Sequence, residues 1–353
     1  MVTPAAAAPR ITADPARGGR WTSLHAAGRE WLWHREEPRR AGVVPGDAFA
    51  DAGGLEECVP TVRGRPDHGD AWTRPWRQEG EWWVADCPCF RFARRIRHLP
   101  DRAEADYRLS AAPGHRFVWA AHALLDLSPA ARLDLPDAAP ARLYADGGNA
   151  WTPFTWPDAP PAPAPRPGST PPFSGPGTQA GSPSGGLLAD PLLGRPGTLP
   201  GDAPSSGPAG PSRAPSGTLA GRSDAQVGGP TGGLFAGPLA GRTPPAGGSG
   251  TVPFDRLGPD DGTALGAIVR AAAVGVHDGG RILRFALEAD AGQPVSVALW
   301  RNLGGFPEGA PYRSIGVEPM LGRVFDLAAA GPDEAARVPA SGEVRWRLTV
   351  TAG

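Results

Sequence analysis

Residues 158–250 limit what this chain can fold into more than any other stretch. Of these 93 residues, 42 are Gly or Pro, well above the ~25–30% at which a segment stops reading as globular. Phe173 and Phe235 are its only aromatic residues, and all twelve tryptophans lie elsewhere. Such a segment buries too little apolar surface to offset the entropy of ordering it. Disorder is therefore expected from 158 to 251, and a flexible N-terminus over 1–17. That leaves 260 residues outside the tract, which suits one large β domain or two small ones.

The flanks read as strands. Val344, Trp346, Leu348 and Val350 alternate with Arg345, Arg347 and Thr349, the period-2 pattern of a sheet with one wet face. Phe90 to Ile96, Phe117 to Ala121, Arg281 to Ala289 and Val295 to Trp300 are further strands bounded by Gly, Pro or Asp. Only Leu327 to Ala330 and Glu334 to Arg337 suggest a helical turn. Dense strands joined by Gly/Pro turns predict an all-β sandwich or barrel. The last 103 residues hold only two tryptophans, Trp300 and Trp346, and would make a thin core alone. One sheet system shared by both flanks buries more, and a long insertion adds little closure entropy. Residues 18–157 and 252–353 are thus expected to form one domain.

Formal net charge is −1 and all 35 basic residues are arginine. This balance gives no general attraction to nucleic acid or to an anionic membrane. Cys58, Cys87 and Cys89 are too few for a disulfide framework and fit no zinc-knuckle spacing. No run reaches the ~18 apolar residues of a membrane span, and the first twenty residues lack the apolar core of a signal peptide; a cytoplasmic protein is expected. Inside the tract, Gly185 to Arg195 recurs as Gly232 to Arg242 with eight of eleven positions identical. That pair reads either as two docking motifs or as slippage in repetitive coding DNA.

Three short stretches could carry acid–base chemistry. His122 follows Trp119-Ala120-Ala121 and precedes Leu124-Leu125; His68 lies between Asp67 and Asp70, just before Trp72, Arg74 and Trp76; Glu318 lies between Val317 and Pro319. A histidine on an apolar strand is often only a packing residue, and one between aspartates often only a loop residue. A carboxylate in an apolar strand is costly unless paired or used chemically, but Pro319 equally suits an edge strand with Glu318 in solvent. Aromatic faces mixed with polar groups around His68 suit a sugar. His68, His122 and Glu318 could also make a His₂Glu zinc sphere, though nothing like HExxH is present.

Gly53-Gly54-Leu55-Glu56-Glu57-Cys58-Val59-Pro60-Thr61, His68-Gly69 with Trp72 and Arg74-Pro75-Trp76, Trp119-Ala120-Ala121-His122, Leu299 to Gly305 and Val317-Glu318-Pro319 follow in that order. Together they resemble the aldose 1-epimerase (galactose mutarotase) family in its divergent bacterial form, over residues 18–157 and 252–350. The resemblance implies a β-supersandwich of antiparallel sheets, a sugar as small-molecule partner, and no cofactor. It implies His122 as general acid on the sugar ring oxygen and Glu318 as general base on the C1 hydroxyl. It also implies His68, with Arg74, Trp76 and Trp300, as sugar-binding residues. This chain departs from the family pattern at Ala121, at Ala123-Leu124 and at Pro319, where an Asn, an aromatic and a Gln are usual. The alternatives are a carbohydrate-binding sandwich without turnover and an interaction protein acting through the tract.

Overall fold

A computed structural model describes residues 8–145, 150–160, 251–307 and 309–353. Among these residues the chain is built from antiparallel strands with short 3₁₀ turns, in two large sheets. The larger sheet runs in the order Arg10–Asp14, Arg20–Ala26, Leu55–Cys58, Trp119–Leu125, Tyr312–Leu321, Val295–Phe306, Ala264–Val269, Pro140–Ala145, Ala150–Thr155, Asp158–Ala159 and Val252–Pro253. The second sheet centres on Arg281–Ala289, Glu343–Ala352, Ala103–Ala111 and Phe90–His98. Residues from before and after the tract are hydrogen-bonded neighbours in both sheets: Trp119–Leu125 lies beside Tyr312–Leu321, and Glu343–Ala352 beside Ala103–Ala111.

The boundaries differ from those expected in two places. Arg10–Asp14 is a strand paired with Arg20–Ala26, and Ile11 is buried, so part of the segment expected to be flexible belongs to the sheet. Its short RITAD alternation is too brief to stand out among Ala and Pro. At the tract, Asp158–Ala159 pairs with Val252–Pro253, so the sheet reaches two residues into the stretch read as disordered. Residues 161–250 of that stretch, with its repeat, lie outside the described residues. Leu327–Ala329 makes the expected turn, as a 3₁₀ helix. Glu334 to Arg337 does not: Ala336 and Arg337 pair with Phe117 and Arg116 as a short strand.

The two sheets bury their facing sides against each other. Trp119 and Phe117 from one flank meet Trp346 from the other, at ring centroids 5.2 and 5.9 Å apart. Phe92 and Tyr107 stack on the same Trp346. Aromatic groups of this size dominate a core, at about 1.5–3 kcal/mol each for full burial. Along Trp119–Leu125, the odd-numbered residues Trp119, Ala121, Ala123 and Leu125 enter this core. Even-numbered Ala120 points the other way, into a smaller apolar cluster with Cys58, Ala298 and Met320. The strand pleat therefore turns His122 away from the sheet–sheet core, toward the outer face of the larger sheet.

Candidate functional site

Tyr312–Leu321 is an interior strand, held by Trp119–Leu125 on one side and Val295–Phe306 on the other. Glu318 is thus not an edge residue; it is buried, at 2% exposed. Pro319 nevertheless leaves its mark. Ala120 pairs with Met320 and Ala123 with Val317, but the two pairs between them are missing from the ladder. A proline has no N–H to give, and the ladder opens at its level. The flanking register puts His122 across from Glu318 at this opening.

There the His122 Nδ1 lies 2.9 Å from the Glu318 Oε1. The distance is that of a hydrogen bond but the angle is not, since Nδ1 and the second Glu318 oxygen both lack a well-aligned partner. Burial pushes the His122 pKa down, and the Glu318 carboxylate overcomes this, so the net direction is up. The Glu318 carboxylate thus favours the protonated form of the imidazole.

His68 approaches from a turn. It has φ +57°, and Gly69 follows at φ +82°. A Cβ on Gly69 would meet the Val59 carbonyl oxygen at 2.0 Å, so only glycine fits this close approach. We expect Gly69→Ala to cost at least about 1 kcal/mol from the left-handed backbone alone, with the backbone clash in addition. A lowered urea midpoint would show it, and an unchanged midpoint would contradict this account of the turn. The His68 ring Nδ1 is 3.0 Å from Asp67. Phe49 stacks on the ring at 3.7 Å and meets His122 edge-on at 5.8 Å. The two imidazoles lie 5.2 Å apart. Burial takes the His68 pKa down. The two neighbouring histidines are thus shifted in opposite directions, His122 up and His68 down.

His68, His122, Trp300 and Glu318 all line one cleft of about 570 Å³, most of it an open mouth rather than enclosed space. The other two residues proposed from sequence are elsewhere. Arg74 faces Asp70 at 3.8 Å and is not part of the cleft wall. Trp76 is buried between the sheets: its indole N–H donates to the Ala71 carbonyl, its edge meets Phe92, and the Arg94 guanidinium covers its face. The Arg74-Pro75-Trp76 motif therefore anchors the turn that carries His68, and its aromatic ring is packing.

Sequence reasoning missed much of the cleft wall. Asp51, Arg63, Tyr144, Phe306, Tyr312 and Phe325 line it. The Tyr312 hydroxyl donates to Asp51 at 2.5 Å, and its ring stacks with Trp33 and is covered by the Arg35 guanidinium. Arg63 lies over the Tyr144 ring. Trp300 donates its indole N–H to Ser314 and meets Phe306 edge-on. One signal was available: the chain has only three tyrosines, and two of them face this cleft. The arrangement offers an imidazole whose pKa is raised, a carboxylate and aromatic walls, on the outer face of the larger sheet. Among the described residues no group of three or more His, Cys, Asp or Glu is set to hold a metal ion. No helix there is long and apolar enough to cross a membrane.

No family model matches the sequence, and no curated protein matches it significantly. Solved structures do. A protein from Synechocystis sp. PCC 6803, Slr1438, superposes with a TM-score of 0.53 at 11% identity, over 98% of this chain and 92% of its own. A galactose mutarotase related enzyme from Lactobacillus acidophilus gives 0.51 at 10% identity, over 98% and 95%. An aldose 1-epimerase candidate from Escherichia coli K12 gives 0.52 at 10% identity, over 98% and 96%. At such identities the likeness is one of fold: the chain has the galactose mutarotase-like β-sandwich.

Proposed function

We propose that the protein is an aldose 1-epimerase-like isomerase that interconverts the anomers of a sugar, with His122 as general acid and Glu318 as general base. The observation that carries this reading is the approach of the His122 imidazole to the Glu318 carboxylate, 2.9 Å apart, in an aromatic-walled cleft. The fold it shares with proteins named for this activity adds support.

The chemistry needs no more than these groups. The ring oxygen and the C1 hydroxyl of a cyclic aldose share one carbon. His122 gives its proton to the ring oxygen while Glu318 takes the proton of the C1 hydroxyl. The C1–ring oxygen bond breaks and C1 becomes an aldehyde carbon. Rotation about C1–C2 presents the other carbonyl face. The ring hydroxyl then adds to it, its proton returning to His122 as Glu318 hands its own to the new C1 hydroxyl. The sugar is neither oxidised nor reduced, and both residues regain their starting protonation. His68, Trp300 and the aromatic wall hold the sugar by hydrogen bonding and ring stacking.

The test is magnetisation exchange between α and β anomers by NMR, over a panel of free, deoxy and phosphorylated aldoses. Enhanced exchange on at least one member is expected. Absence of any enhancement with saturable binding would overturn catalysis and leave a carbohydrate-binding sandwich.

A further inference from the structure

His122 has a carboxylate on each side. On the neighbouring strand Leu55–Cys58, Glu56 is its direct cross-strand partner, and directly opposed residues share a sheet face. Glu56, His122 and Glu318 therefore stand in one row across three strands. Glu56 is 1% exposed, and Arg40 occupies both of its oxygens: Nε donates to Oε1 at 2.9 Å and Nη2 to Oε2 at 3.1 Å. The Arg20 Nε lies 3.6 Å from the same Oε1. Arg40 is itself buried, covers the Trp72 ring, and donates to the Arg17 and Trp72 carbonyls.

A bidentate guanidinium is the strongest ordinary way to hold a carboxylate in place and cancel its charge. We propose that Arg40 and Glu56 are a positioning pair for His122, presenting it with a near-neutral neighbour on one side so that Glu318 is the carboxylate that governs its proton. Without Arg40 the central imidazole would have beside it a carboxylate held by Arg20 alone, and without Glu56 an uncompensated guanidinium. Either would change how readily it gives up its proton. The proposal rests on the reading of His122 as the general acid.

The charged and titratable groups facing His122 can be enumerated by element. Its own strand contributes none. Leu55–Cys58 contributes Glu56 and the Cys58 thiol, and Tyr312–Leu321 contributes Glu318. The turn at 67–69 contributes His68, backed by Asp67. The segment before Leu55 contributes Asp51, bound by the Tyr312 hydroxyl. Arg63 lies in the same cleft, and Arg40 and Arg20 stand behind Glu56. Burial lowers the His122 pKa and Glu318 is the largest influence raising it, with Asp51 and Glu56 adding less.

The experiment is an NMR titration of the His122 imidazole, assigned by the signal lost in His122→Ala, in the intact protein and three variants. Glu56→Gln leaves the Arg40 cation uncompensated and is expected to lower the His122 pKa by about one unit or more. Arg40→Met removes one of the two cations at Glu56, leaving Arg20, and is expected to raise it by a smaller amount, because burial pushes the Glu56 carboxyl up. Arg40→Met/Glu56→Gln replaces a neutral pair by a neutral pair and is expected to titrate like the parent. Where a sugar is turned over, the alkaline limb of the rate profile should move with each pKa. If neither single variant shifts His122, or both shift it the same way, the proposal is wrong. Either single variant decides the matter if the other does not fold. The titration reads the imidazole directly, so it separates failure of this proposal from failure of the anomerase reading.

Discussion

Glu318→Gln is expected to lower the anomerisation rate at neutral pH by about 10²–10⁴-fold, and His122→Ala by a similar factor. Glutamine has the shape of glutamate but cannot accept the C1 proton. The substitution also acts on the acid. Glu318 is the main influence holding the His122 pKa up against burial. Without it the imidazole loses its proton at lower pH, and the alkaline limb of any residual rate profile should move down. One change therefore removes the base and weakens the acid. Residues that act as a unit are strongly non-additive, so the double variant should be little worse than either single one. Exchange NMR with a responsive aldose checks this. Single variants as fast as the parent would remove both residues from the mechanism, and a fully additive double variant would mean that they do not work as a pair.

What could be read from sequence follows from which physical signals are local. The alternations at Val344 to Val350 and within Arg281 to Ala289 encode their strands directly, because one face of each is buried in the sheet–sheet core. His122 and Glu318 were legible as isolated chemical groups, and the order of the motifs suggested that they meet. Their contact was not legible. It depends on a central strand that tolerates Pro319 at a gap in its ladder, where a proline ordinarily signals an edge. Arg74 and Trp76 were misread because an aromatic ring beside a histidine looks the same in sequence whether it walls a cleft or packs under a turn. Asp51, Arg63, Tyr144 and Tyr312 come from four separate segments. No spacing rule connects them, and only the fold brings them to one cleft.

Arg94 had a legible clue. Strand parity puts it on the same face as the core residue Phe92, although an arginine between Ala93 and Arg95 looks solvated. It is 1% exposed and crosses between the sheets to donate to the Glu57 Oε1 at 2.7 Å. The Tyr107 hydroxyl donates to the same oxygen, and the Trp119 indole N–H donates to the other. Glu57 is wholly buried. Removing one member of a buried ion pair leaves the other charge uncompensated, at about 3–5 kcal/mol. Arg94→Met is therefore expected to destabilise the fold by that amount, although methionine fills much of the same space. For a domain of this size the loss corresponds to a fall in Tm of about 6–20 °C, at about 2–4 °C per kcal/mol. The double variant Arg94→Met/Glu57→Gln removes the stranded charge and should recover part of the loss, since a buried pair can often be replaced by neutral groups at little net cost. Tyr107 and Trp119 would still find an acceptor in the glutamine oxygen. Urea unfolding of the parent, both single variants and the double variant gives the coupling energy directly. A double variant no more stable than Arg94→Met would mean that the arginine acts through its packing on Trp76 and not through its charge.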